Sequence, residues 1–186
     1  MQTISAMGAR ALSELGQCLD RMDEHQLDHL VDTLANANRI CLYGCGREGL
    51  MMRALCMRLA HLGLDVHMVF DMTTPPVGPG DLLLVSSGPG HTSTVLALVQ
   101  QARQSGAATN CITAEPGSKV TALCDFTLVI PAQTMARDES APTSFLPMGS
   151  LFEGAQFLGF EILIMRLRDR LGETAETMRA RHTNLE

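Results

Sequence analysis

Five short apolar runs, each leaving into small or polar residues, constrain this chain most. Arg39–Tyr43, Asp65–Phe70, Asp81–Ser86, Ala107–Thr113 and Phe126–Ile130 read as strands. Between most of them lie stretches with apolar residues at three- and four-residue spacing, which predict helices over Glu48–Leu62 and Thr92–Gln104 and a shorter one over Ser118–Leu123. Strands joined through helices of about ten residues or more need crossover connections, which a parallel sheet covered on both faces provides. The expectation is a doubly wound α/β domain with a five-stranded parallel sheet, its ligand at the carboxyl ends of the strands.

Long helices flank this unit. Leu12, Leu15, Leu19, Met22, Leu27, Leu30, Val31 and Leu34 continue one apolar stripe, predicting a single helix over about 4–37. The sheet core spans about 39–130. An aperiodic loop rich in Pro, Ser and Thr follows at 131–147, then helices over about 149–171 and 173–181. At 186 residues the chain suits one domain. The flanking helices exceed what one small sheet must cover, so their spare apolar faces suit a subunit interface.

Composition narrows the function. A net charge of −6 argues against a nucleic-acid groove, which demands clustered Lys and Arg. Lys119 is the only lysine, so Schiff-base chemistry has one position open to it. Six cysteines, Cys18, Cys41, Cys45, Cys56, Cys111 and Cys124, form no CxxC pair and no ligand spacing for a metal, and read as reduced thiols. No apolar run approaches about 20 residues and no signal segment opens the chain. The expectation is a cytoplasmic protein with no membrane partner.

Chemistry concentrates at the strand exits. Gly44, Gly46 and Gly49 punctuate the first. An acid about 20 residues on, Asp65 or Asp71, is a weak match to a dinucleotide site, and a tight turn with close helix packing accounts for the glycines without a ligand. The third exit, Ser87, Gly88, Pro89, Gly90, His91, Thr92 and Ser93, sets hydroxyls and glycines at a helix start, where free N–H groups favour an anion or an ordinary N-cap. Asp71, Thr73 and Thr74 form a hydroxyl-rich exit that alone reads as a turn. Glu153 lies in the first turns of an apolar helix, where a solvated or capping role is the simplest account.

Taken together, YGCGREGL (43–50), MRLAHLGLDVH (57–67), DMTTPP (71–76), SGPGHTS (87–93), GSLFE (149–153) and RHTNLE (181–186) resemble the sugar isomerase (SIS) domain family, and within it the 6-phospho-3-hexuloisomerases. The resemblance covers nearly the whole chain. It implies the flavodoxin-like SIS fold and a homotetramer, a dimer of dimers, with sites at subunit contacts and no metal or organic cofactor. It implies interconversion of a 3-hexulose 6-phosphate and fructose 6-phosphate through a cis-enediol, as in the ribulose monophosphate pathway. By the same resemblance Glu153 is the carbon-proton base and His182 opens the sugar ring or shuttles the oxygen proton. Arg47 binds phosphate or polarises a hydroxyl. Ser87, Gly88, His91 and Thr92, with Asp71, Thr73 and Thr74, belong to the substrate site.

Two positions depart from the family pattern. Glu48 and Pro89 stand where the family usually has serines that bind phosphate. A carboxylate about 4 Å from a phosphate costs about 1 to 4 kcal/mol, or one to three decades of affinity. Protonated His91, paired with Glu48, would offset part of this. Three readings follow: a hexuloisomerase with altered phosphate recognition, an isomerase of a related sugar, or a non-catalytic sugar-phosphate-binding protein.

Overall fold

A computed structural model describes residues 2–138 and 143–185. Part of the 131–147 loop and the final Glu186 of the terminal motif lie outside the described residues. Five strands, β1 (Ile40–Gly44), β2 (Val66–Met68), β3 (Leu82–Ser86), β4 (Ala108–Thr113) and β5 (Phe126–Val129), form one parallel sheet in the order β2-β1-β3-β4-β5. The expected fold class is the observed one. Every residue of β3 is buried, as a central strand covered on both faces requires. Alternate side chains feed two cores. Ile40, Leu42, Leu82 and Leu84 face α2 (Glu24–Asn36), α3 (Gly46–His61) and α5 (Ser150–Leu171). Cys41, Leu83 and Val85 face α4 (Ser93–Gln104). Among the described residues no helix is long and apolar enough to cross a membrane.

Four local expectations need correction. The N-terminal helix is two, α1 (Ile4–Leu19) and α2, because the Asp23 carboxylate caps the Gln26 N–H at 2.9 Å and starts a new helix. The unbroken apolar stripe conceals this break. Residues 118–123 form turns rather than a helix: the Ser118 hydroxyl accepts the Thr121 N–H at 3.3 Å, and the Thr121 hydroxyl donates to the Pro116 carbonyl at 2.9 Å. These bonds compete with the helical ladder. The 131–147 loop also holds a 3-10 turn at Met135–Arg137. The last helix, α6, is shorter than expected, at Ala175–Ala180.

The sheet order makes a crevice. From β1 the chain passes through α3 to the edge strand β2, then returns to β3 on the other side of β1. The loops after β1 and β3 therefore diverge, and such a switch point is where ligands bind in open α/β sheets. Gly44, Gly46 and Gly49 carry the G-x-G-x-x-G spacing, and here its use is steric. A Cβ on Gly49 would lie 2.4 Å from the Gly44 carbonyl oxygen, so α3 can leave β1 this closely only with glycine there. Asp65, the acid a dinucleotide would need, is engaged by Arg39 at 3.0 Å and His67 at 2.7 Å.

Candidate active site

A cavity of about 500 Å³ opens at this switch point. The first turn of α3 supplies Arg47 and Glu48, the loop after β3 supplies Pro89 and Thr92, and the start of α5 supplies Ser150, Phe152 and Glu153. Thr134 and Met135 close it. They pack so tightly on the α5 start that a Cβ on Gly149, which has φ +81°, would lie 2.9 Å from the Met135 nitrogen.

The Arg47 guanidinium pairs with the Glu153 carboxylate. The Glu153 side chain is only 12% exposed, whereas Arg47 is mostly in solvent at 68%. A carboxylate held at the cavity wall by a guanidinium has a fixed position, as a proton-transferring base needs.

Glu48 is placed differently. Both its oxygens accept the Gly88 N–H, at 3.1 and 2.9 Å, and Oε2 also accepts the Ser86 hydroxyl at 2.6 Å. The buried Gln156, one turn beyond Glu153, donates to the Ser86 hydroxyl at 2.8 Å and so leaves the Ser86 proton for Glu48. Burial pushes the Glu48 carboxyl above the ordinary carboxylate range; the Ser86 and Gly88 bonds oppose the rise and the charge of Glu153 adds to it. Gly88 leaves this contact room: a Cβ there would lie 2.9 Å from Glu48 Oε1 and 3.1 Å from the Phe152 ring.

His91 does not pair with Glu48. Its Nδ1 donates to the Pro89 carbonyl at 2.8 Å, and Glu48 takes its donors from the loop backbone and Ser86. The Ser87 and Thr92 hydroxyls bond to each other at 3.0 Å, with Ser87 buried. Thr92 lines the cavity.

The remaining sequence-named residues lie elsewhere. Asp71 sits 3.6 Å from Arg53, and the Thr74 hydroxyl donates to the Met68 carbonyl at 2.6 Å, so this exit closes the end of β2. Thr73 is exposed beside them, and none of the three lines the cavity. His182 stacks on His61 with ring centroids 5.2 Å apart. His61 ends α3 and Arg47 begins it, about 20 Å apart along the helix axis, so His182 docks at the end of α3 opposite the one that carries the Arg47–Glu153 pair.

Sequence reasoning missed Ser86, Gln156 and Thr134. A glutamine on the buried face of an apolar helix was the available signal for Gln156, since such a group requires a partner. Its Oε1 and the Thr134 hydroxyl are buried with no hydrogen-bond partner among the described residues. Among those residues, too, no group of three or more His, Cys, Asp or Glu side chains is arranged to hold a metal ion.

The family model for the SIS domain matches residues 33–152, from the end of α2 through the first turn of α5. The chain belongs to the SIS domain family. This SIS chain is 37% identical over 173 residues to the 3-hexulose-6-phosphate isomerase of Mycobacterium gastri, covering 93% of this chain and 86% of that protein. It is 31% identical over 178 residues to the enzyme of that name from Bacillus subtilis, covering 96% of each. A solved Methanococcus jannaschii protein, for which a 3-hexulose-6-phosphate isomerase function was inferred, superposes with a TM-score of 0.84 at 28% identity, covering 97% of this chain and 99% of that one. A Vibrio vulnificus protein solved in complex with ManNAc-6P shares the fold with a TM-score of 0.75 at 21% identity, covering 95% of this chain and 66% of that one.

Proposed function

We infer that this SIS protein is a cofactor-independent isomerase interconverting a 3-hexulose 6-phosphate and fructose 6-phosphate. The observation that carries the reading is the Glu153 carboxylate, nearly buried in the switch-point cavity and held by Arg47. The names of its relatives over almost the full chain support the same activity. Glu153 takes the proton from C3 of fructose 6-phosphate and returns it to C2 of the cis-enediol. Arg47 orients Glu153. A proton passes meanwhile between the oxygens on C2 and C3.

His182 serves this relay from a neighbouring subunit, because its own chain holds it at the far end of α3. That arrangement calls for an assembly, and a homotetramer built as a dimer of dimers supplies it. Exposed Ile4 and Leu12 on α1 and Phe157 and Met165 on α5 offer the apolar surface for such contacts. The protein works in the cytoplasm, in the ribulose monophosphate pathway.

Incubating the protein with fructose 6-phosphate in heavy water tests the reading. Solvent deuterium should enter at C3 and the 3-keto isomer should form. Glu153→Gln should lower kcat by about 10²- to 10⁴-fold while fructose 6-phosphate still binds. A wild-type protein that neither exchanges nor isomerises the sugar overturns the isomerase assignment. Binding without exchange would instead point to a sugar-phosphate sensor, a reading that Glu48 in the anion loop favours.

A further inference from the structure

The N–H groups from His91 to Val95, at the start of α4, have no partner among the described residues, and the Thr92 side chain caps none of them. The Leu96 N–H is the first to be taken, by the Thr92 carbonyl at 3.0 Å. Such a helix start favours an anion, and Thr92 lies in the wall of the switch-point cavity. A second observation points to a ligand in the same space. Thr134 is buried in that wall, and its hydroxyl has no partner among the described residues. On the isomerase reading, the phosphate of the sugar is the anion that fits.

The Glu48 carboxylate stands in the same wall, against Gly88. Among the described residues few charged or titratable groups face it. From α5 comes Glu153, whose charge Arg47 of α3 balances. From β4 comes the Cys111 thiol, which feels the Glu48 charge. β3 and its loop present Ser86 and Gly88, and the 131–147 loop presents Thr134, none of which ionises. His91 turns to the Pro89 carbonyl. No cation among the described residues pairs with Glu48, so a proton is what can neutralise it when a second negative charge arrives. Burial already lifts its carboxyl above the ordinary range; the Ser86 and Gly88 bonds oppose the rise and Glu153 adds to it. Oε1 carries only the longer Gly88 contact, at 3.1 Å, and so has a lone pair for the proton.

We propose that Glu48 takes up one proton from solvent when the sugar phosphate seats at the start of α4, and gives it back when the sugar leaves. The proposal rests on the isomerase reading and adds the charge state in which the anion site works. A neutral carboxyl has an O–H to donate, so Glu48 changes from a group that repels the phosphate into one that can hydrogen-bond it. Ligand binding that takes up a proton strengthens as pH falls. Glu48 is thereby a specificity-determining residue that ties the affinity for phosphorylated sugars to pH.

Calorimetry at about pH 8, in buffers of different ionisation enthalpy, counts the protons taken up with fructose 6-phosphate and with inorganic phosphate. Wild type should take up about 0.5 to 1 proton per ligand and bind about tenfold or more weakly at pH 9 than at pH 7. Glu48→Gln, neutral throughout, should take up less than about 0.2 proton and change its affinity by less than about threefold over that range. His91→Gln, which removes the imidazole beside the helix start, should keep the wild-type uptake. Infrared difference spectra of wild type need no variant to fold: the carbonyl band of a neutral carboxyl should appear with inorganic phosphate. Binding without uptake or without that band, uptake that survives Glu48→Gln, or uptake lost in His91→Gln overturns the coupling and leaves the isomerase reading standing. Glu48-dependent uptake without turnover supports the coupling and overturns the isomerase reading. A wild-type protein that binds neither ligand overturns both.

Discussion

The Glu48 carboxylate accepts the Gly88 amide proton, with Oε2 2.9 Å from the nitrogen. A side chain from the first turn of α3 thus brings a negative charge against the loop after β3. Gln156 and Ser86 hold it there from behind. A carboxylate of the chain itself thus occupies the Gly88 N–H and the Ser86 hydroxyl at the end of β3.

Removing the Glu48 charge should favour phosphate at this loop. Glu48→Ser combined with Pro89→Ser removes the charge and returns a hydroxyl and an N–H to the loop. Fructose 6-phosphate should bind about ten- to a thousandfold more tightly, the worth of about 1 to 4 kcal/mol of relieved repulsion. Calorimetry on the double variant measures this, and an unchanged affinity sinks the idea.

Glu48 also makes stability depend on pH. Burial raises its folded-state value above the ordinary one near 4.5, so the native chain holds this proton more tightly than the unfolded chain. Stability from this group is therefore full below about pH 4.5 and falls as pH climbs through the raised value. Arg47 and Glu153 face the same cavity, and the Cys111 thiol also feels this charge. Glu48→Gln cannot ionise. Its melting temperature should gain on wild type steadily between pH 4.5 and neutrality, read by calorimetry at matched ionic strength. A constant difference across that range would contradict the assignment.

The tail responds to acid in the opposite sense. Arg181 donates to both Glu173 oxygens, at 2.7 and 2.9 Å, and to the His61 carbonyl at 3.0 Å, which fastens α6 to the end of α3. The Arg181 guanidinium, helped by the Thr177 hydroxyl, pulls the Glu173 carboxyl down to about 2. A lowered folded-state value gives stability that is complete above the ordinary 4.5 and lost as pH falls toward 2. Hydrogen exchange should show residues 174–182 losing protection over that interval before β3 does. Glu173→Gln should show the same loss already at pH 6, and a fully protected tail in that variant rules out the anchor.

How much of this was legible in the sequence depends on the range of each interaction. The five strands were readable because a strand buried on both faces is apolar along its length, and the crossover helices followed from connection length. The break at Asp23 was less visible, because one capping hydrogen bond competes with an apolar stripe that runs past it. The turns at 118–123 were hidden for a similar reason: Ser118 and Thr121 bond to backbone that a periodicity count does not weigh. Asp71, Thr73 and Thr74 had the composition of a binding loop, yet the edge position of β2 turns them to closing a strand end.

Local periodicity and chain connectivity were enough to specify the parallel α/β architecture, the glycine-hydroxyl loops at the strand ends and the residue types at each. Which of those groups meet was settled by folding. Glu48 reaches the Gly88 amide from 40 residues away, Arg47 pairs with Glu153 across 106, and His182 docks on His61 instead of approaching Glu153. Spacing along the chain cannot set such distances. They follow from how closely α3 and α5 pack over one sheet, which is a property of the whole folded core.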